Sequence, residues 1–237
     1  MSYNNGPKVI TNGLLTYFDA GNQDSYPGTG TTWTDLTRST LNGALTATFS
    51  NTDGGRFDFN GSTSRCSVGT YASSILPTNS FTYEVWCRPN STINLPAEAN
   101  SGTNGLSTQK TVLGPQWYNT NSGAGISVGT NGICVLEHGN GYLPAILVAT
   151  TVVSNTFTSQ VVVVYNNKQP SLYINGAFVK VGLTSGKTLV YGDWGEIGNG
   201  AYSPFNGSIS IVKAYNRVLT ASEITQNYDA IKGRFRL

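Results

Sequence analysis

The sequence predicts an all-β sandwich of two antiparallel sheets closed by one short C-terminal helix, and three observations predict it. Short runs rich in β-branched and aromatic residues recur along the whole chain, bounded by Gly, Asn, Pro and Ser. The dipeptide Asn-Gly punctuates them, at Asn12-Gly13, Asn42-Gly43, Asn60-Gly61, Asn131-Gly132, Asn175-Gly176 and Asn206-Gly207; it favours the positive φ angles of a type I′ hairpin turn. Helix signals are confined to the last residues, where a capping box precedes an apolar stripe.

In chain order, the strand-forming runs are residues 14–19, 57–60, 81–88, 125–128, 133–137, 146–153, 160–165, 171–175, 177–181 and 208–215. The run from Phe81 to Arg88 alternates: Phe81, Tyr83, Val85 and Cys87 share one face, and Thr82, Glu84, Trp86 and Arg88 the other. One face is therefore expected to enter the core. Residues 89–109 lack any period and are long for a connection within a compact domain, so an exposed loop is expected there. At the end of the chain, Thr220 and Glu223 are spaced as a capping box, with Leu219 and Ile224 placed as its hydrophobic staple. Ala221, Ile224, Tyr228 and Ile231 form one apolar stripe, and Gly233 is positioned as a C-cap. A helix of about three turns does not persist alone in water, so its stripe is expected to cover the sandwich.

Composition narrows the function classes. Only 11% of the 237 residues are charged, against about a quarter in ordinary globular chains, and Asn, Ser, Thr and Gly must wet the surface. A net charge of +2 without a Lys/Arg cluster gives no electrostatic footprint for nucleic acid or an anionic membrane, and neither is expected as a partner. No apolar stretch approaches the roughly 20 residues that span a bilayer. The opening MSYNNGPKVI lacks the apolar core of a secretory signal, so synthesis in a cytoplasm is expected. Cys66, Cys87 and Cys134 are odd in number and form no CxxC; they read as small buried residues rather than as a disulfide framework or zinc site.

The stretch FNGSISIVKAYNRVLTASEITQNY, from Phe205 to Tyr228, resembles the last strand and short helix of laminin-G-like domains, which are concanavalin A-like lectin/glucanase jelly rolls. Four other stretches agree in order: GLLTYFDAGN with TWTDL, FDFNGS, SFTYEVW and LYINGAFV. The resemblance covers residues 13–234 and implies a jelly-roll β-sandwich of two antiparallel sheets with a short C-terminal helix. Residues 1–12 are then an N-terminal arm and first strand, and 13–237 a single domain. The opening YFDAGN and the closing NYDAIKGRF are similar to those of tailed-bacteriophage virion structural proteins. That likeness implies a non-enzymatic capsid decoration or tail/fibre component, made in the host cytoplasm and located in the virion. Its partners would be other virion proteins and further copies of itself, as a homo-oligomer such as a trimer, with arm 1–8 and basic tail 232–237 free to dock on a neighbour. The alternative is a lectin-like module recognising host surface glycans.

Catalysis finds little support in the residues. Glucanases on this sandwich resemble one another in an E-x-D-x-E strand that sets two carboxyls around the scissile bond. Here Glu84 stands alone in its strand, and Glu137 stands alone before His138, the only histidine. The one G-x-S-x-G match, GISVG at residues 125–129, falls in a strand-forming run rather than at a strand-to-helix elbow that would offer its serine to that histidine, and no enzyme is expected. The family's calcium-associated F-D-G-x-D-D-Y corresponds to residues 59–65, FNGSTSR, in which the acids are replaced. No cofactor is expected; Asp19 and Asp193 are the carboxylates left for a calcium ion. Trp117, Tyr118, Tyr142, Trp194 and Tyr202 lie in Gly/Asn-rich turns and are the candidates for stacking on a glycan, although such residues also pack sandwich rims. Trp33 and Trp86 read as core.

Overall fold

The computed structural model describes residues 6–37, 41–105, 108–199 and 204–237. In chain order its strands are β1 (Leu14–Asp19), β2 (Thr32–Trp33), β3 (Gly43–Leu45), β4 (Thr48–Ser50), β5 (Arg56–Asn60) and β6 (Cys66–Val68). There follow β7 (Phe81–Pro89), β8 (Thr111–Pro115), β9 (Ser122–Gly129), β10 (Gly132–His138), β11 (Ala145–Ala149) and β12 (Ser159–Asn166). The chain ends with β13 (Gln169–Ile174), β14 (Ala177–Val181), β15 (Val190–Tyr191), β16 (Trp194–Ile197), β17 (Asn206–Tyr215) and helix α1 (Ala221–Ile231).

Two sheets form the sandwich. One has eight strands, ordered β14-β13-β12-β7-β17-β5-β4 with β1 also on β17; the other has nine, ordered β11-β10-β9-β8-β16-β6-β3-β2 with β15 on β9. Pairing is antiparallel except between β15 and β9. β17 organises the first sheet: β7 runs along one side, while β1 and β5 share the other, meeting its Ile211–Tyr215 and Asn206–Ile209 stretches respectively. The Asn175-Gly176 turn forms as expected, with φ of 51° and 78°, and joins β13 to β14.

Alternation on β7 sends Phe81, Tyr83, Val85 and Cys87 into the core between the sheets. Its other face is buried as well. α1 crosses it, and Trp86 packs with Ile211, Ile231 and Phe235 while Val162, Val164 and Tyr215 pack with Leu219 and Ile224. The capping box is present: Thr220 Oγ1 accepts from the Glu223 amide at 3.3 Å, and Glu223 Oε2 accepts from the Thr220 amide at 2.9 Å. The stripe differs from expectation. Ala221 is exposed, Tyr228 is half-buried, and the buried residues are Ile224, Asn227 and Ile231. Asn227 occupies an apolar position because it serves polar groups beneath the helix. Gly233 does not end the helix; Lys232 is the C-cap, and a 3₁₀ turn continues through Lys232–Phe235 to a left-handed Arg236.

Four further expectations are corrected. The tail is not free to dock elsewhere, since Phe235 stacks on Trp86 and the Arg234 guanidinium is seated on the carbonyls of Gly54 and Gly55 and on Asp19. A Cβ on Gly21 would fall 1.9 Å from Gly54 O and 2.3 Å from Arg234 Nη2, so this seat requires glycine. The arm contains no strand among its described residues; residues 6–12 lie along α1, where Gln226 donates to Lys8 O and the Ile10 amide to Asn227 Oδ1. The loop expected at 89–109 is only partly exposed: among its described residues 100–104 are open, whereas the stretch around Ile93 and Leu95 packs down. Ile93 and Leu95 cover Cys134, Leu136 and Ala145 on the outer face of the nine-stranded sheet, and the Asn131 side chain clamps both backbone groups of Ile93. β11 also stops at Ala149, short of the expected residue 153.

Candidate functional site

The register of β10 divides its residues between two faces. Ile133 and Val135 enter the core between the sheets, whereas Cys134 and Leu136 face away from it, and His138 continues that outer row. Loop 89–109 covers part of this outer face. The uncovered part, over β8 and β16, holds a cavity of about 380 Å³ lined by Val68, Pro115, Gln116, Trp117, His138 and Glu196, with Gly114 and Gly195 between them. A volume of this size suits one small ligand.

Each wall has a physical reason. β16 pairs with β8 through Trp194↔Pro115 and Glu196↔Gly114, so a bulge leaves Gly195 unopposed. A Cβ there would lie 2.2 Å from Gln116 Nε2, so the missing side chain lets the Gln116 amide lie against the strand. Glu196 faces Ser67 of β6 and is partly open, with the Arg65 guanidinium 4.0 Å away. Burial pulls His138 below the ordinary histidine value, opposed by its hydrogen bond to the Pro115 backbone. Burial thus favours its neutral form. Trp117 stands over the site with 54% of its surface exposed. An indole face beside an amide, a carboxylate and an imidazole offers an apolar platform together with donors and acceptors of no strong net field.

Of the stacking candidates within the described residues, Trp117 keeps an exposed ring. Tyr118 is half-buried, stacked on Tyr191 at 4.1 Å, and its hydroxyl donates to Asp193 at 3.1 Å, which leaves it part of the rim. Tyr142 is only 7% exposed; its hydroxyl donates to Glu137 and the Lys187 ammonium lies 4.7 Å from its ring centre. Trp194 is 2% exposed, with Tyr71 and Tyr83 edge-on against it, because its position on β16 points between the sheets. Neither Tyr142 nor Trp194 has a face open to a sugar. Tyr202 lies outside the described residues. Gln116 and Glu196 carry no local sequence signal, and His138 is read from the sequence only as a catalytic histidine without a serine, because each comes from a different strand or turn.

Glu137 and Glu84 are committed elsewhere. Glu137 is on the inner face, surrounded by the hydroxyls of Ser122, Tyr142, Tyr165 and Ser185. Glu84 is sealed beneath α1. Glu196 is the one carboxylate lining the cavity among the described residues, and a glycosidic bond is ordinarily cleaved between two. The two carboxylates left for calcium each meet protein groups. Asp19 is paired with Arg234 and accepts from the Gly21 amide, Asp193 is held by Tyr118, and Asn60 Oδ1 is filled by the amides of Ser62, Thr63 and Ser64. Among the described residues no three His, Cys, Asp or Glu side chains converge as a metal site.

A family profile described as the concanavalin A-like lectin/glucanases superfamily matches residues 60–225. No curated protein matches the chain. Among solved structures, the sialidase of Trypanosoma rangeli in its covalent intermediate superposes with a TM-score of 0.61 at 18% identity, covering 97% of this chain and 35% of the sialidase. The chain thus spans about a third of that protein's length. Domain 4 of a GH43 extracellular arabinanase from Geobacillus stearothermophilus, solved in complex with arabinotriose, gives 0.59 at 17% identity, covering 91% of this chain and 98% of the domain. The binding domain of Paraclostridial mosquitocidal protein 1 gives 0.63 at 16% identity, covering 91% and 52% respectively. At these identities the likenesses establish the sandwich.

Proposed function

The chain belongs to the concanavalin A-like lectin/glucanases superfamily, and we propose that it is a non-enzymatic glycan-binding module with its saccharide site under Trp117. The observation that carries this reading is the open indole face of Trp117, set beside Gln116, His138 and Glu196 above the glycine positions 114 and 195. The ring takes the C–H face of a sugar, the polar groups take its hydroxyls, and the glycines let the sugar approach the strands. The likeness to an arabinanase domain solved with arabinotriose supports a saccharide ligand. The test is a glycan array probed with the wild-type chain and Trp117→Ala. At least one glycan family is retained by the wild type, and the variant binds it at least tenfold more weakly, about 1.4 kcal/mol; equal binding by both overturns the assignment.

We further propose that the module is displayed on a tailed-bacteriophage virion, as a capsid decoration or tail/fibre component. Support comes from the stretches YFDAGN and NYDAIKGRF and from a surface wetted by neutral side chains. Purified particles then contain the chain, and the isolated protein, as a trimer or other homo-oligomer by light scattering, binds particles that lack it. A strict monomer of 25.2 kDa that fails to bind virions overturns this part and leaves the glycan site standing.

A further inference from the structure

Beneath α1 lies a cluster that the glycan reading does not use. Lys213 on β17 and Glu84 on β7 are both fully buried, and Lys213 Nζ donates to Glu84 Oε1 at 2.9 Å. The other carboxylate oxygen, Oε2, accepts from Asn227 Nδ2 at 2.8 Å. One carboxylate therefore holds a lysine amine on one oxygen and an asparagine amide nitrogen on the other. The orientation of that amide is fixed, because Asn227 Oδ1 accepts the Ile10 backbone N–H at 2.8 Å. Trp86 Nε1 and Gln160 Nε2 anchor Glu84 from the remaining sides, and the rings of Trp86, Tyr228 and Phe235 stack alongside. Burial pulls Lys213 below the ordinary lysine value, towards the nucleophilic free amine, while the Glu84 charge opposes it.

We propose that this is a self-modification site, in which Lys213 Nζ and Asn227 Cγ join as an intramolecular isopeptide bond with Glu84 relaying the protons. The Nζ–Cγ bond forms, the Cγ–Nδ2 bond breaks, and Nδ2 departs as ammonia. The ammonium of Lys213 gives up two protons. One completes the departing ammonia and the other rests on Glu84, so charge balances and a neutral acid replaces a buried ion pair. The proton relay and the donor to the amide oxygen have their groups in place. Glu84 touches both the proton donor and the leaving nitrogen, and the Ile10 N–H stands where negative charge gathers on the amide oxygen. No oxidant or cofactor is required. The bond would tie the last strand to the closing helix covalently.

Intact mass spectrometry of the full, unfolded chain after native purification tests this, followed by peptide mapping. The wild type is expected to be lighter than its sequence by one ammonia, with the Lys213 and Asn227 peptides joined. Lys213→Met and Asn227→Ala are expected at their sequence masses. Glu84→Gln, shown to be folded by circular dichroism, is also expected at its sequence mass. A wild type at its full sequence mass after prolonged incubation overturns the proposal, and this result does not depend on any variant folding. Loss of ammonia that maps to a succinimide at an Asn-Gly pair overturns it too, and a joined pair in Glu84→Gln overturns the relay.

Discussion

Phe235 is the strongest test of how the tail contributes to the fold. It lies in the 3₁₀ turn that follows α1 and is only 6% exposed, stacked on Trp86 with ring centres 5.1 Å apart, while Tyr228 stacks on Trp86 at 5.9 Å. Replacing a core Phe by Ala costs about 3–5 kcal/mol, from lost transfer energy plus the cavity left behind. A site packed on the outer face of one sheet relaxes more than one between two sheets, so the expected loss for Phe235→Ala is at the low end, about 3 kcal/mol. With a urea slope of about 3 kcal/mol/M, the unfolding midpoint falls by about 1 M. Equilibrium urea unfolding followed by tryptophan fluorescence measures this directly, because Trp86 is one of the reporters. Arg236→Ala, at the exposed neighbouring position, is the control and stays within about 0.5 kcal/mol. A loss below about 1 kcal/mol for Phe235→Ala would refute the claim that the tail is part of the structure.

Other outcomes follow from the buried groups and the pocket. Burial pushes the Glu137 carboxyl above its ordinary value, although the hydroxyls of Ser185, Tyr142, Ser122 and Tyr165 pull it back. A raised acid binds its proton more tightly in the folded chain, so its contribution is complete below the unfolded value of about 4.3 and is lost as pH rises through the folded one. Thermal unfolding from pH 4 to pH 8 should therefore show Glu137→Gln gaining on the wild type as pH rises; the opposite trend contradicts this sign. Cys87 is pushed up to about 12 by burial, and Cys66 and Cys134 are raised by the same cause. A thiol reagent should label none of the three in the native protein and all three in denaturant. Gly195→Ala displaces only the flexible end of Gln116, so circular dichroism stays native while glycan affinity falls severalfold; unchanged affinity removes Gln116 from the site.

Local chemistry explains which elements the sequence disclosed. β7 and β17 carry long alternations, and Thr220 with Glu223 encodes a helix start in four residues. By contrast β2, β3, β6, β15 and β16 have two to four residues each, too few for a period of two to emerge, and they acquire strand geometry from their neighbours. On β8 an irregularity between Thr111 and Leu113 sends both Val112 and Leu113 to the core and breaks alternation. Glu84 offered no sign of its partner, because Lys213 is 129 residues away and only the β7/β17 register brings them together. The pocket was legible in one residue, Trp117, since exposure of an aromatic in a turn is a local property. Trp194 and Tyr142 had the same composition around them, but their side chains point inward, a matter of register that turn residues do not encode.

The two broad sides of the sandwich have been made unequal by the way the backbone covers them. The chain roofs the eight-stranded side with its own arm, helix and tail, whereas the nine-stranded side keeps a window open at the indole of Trp117. A support that grips the roofed side would thus display the window outward whatever the length or stiffness of the tether. Orientation, for such a protein, is inherited from the fold.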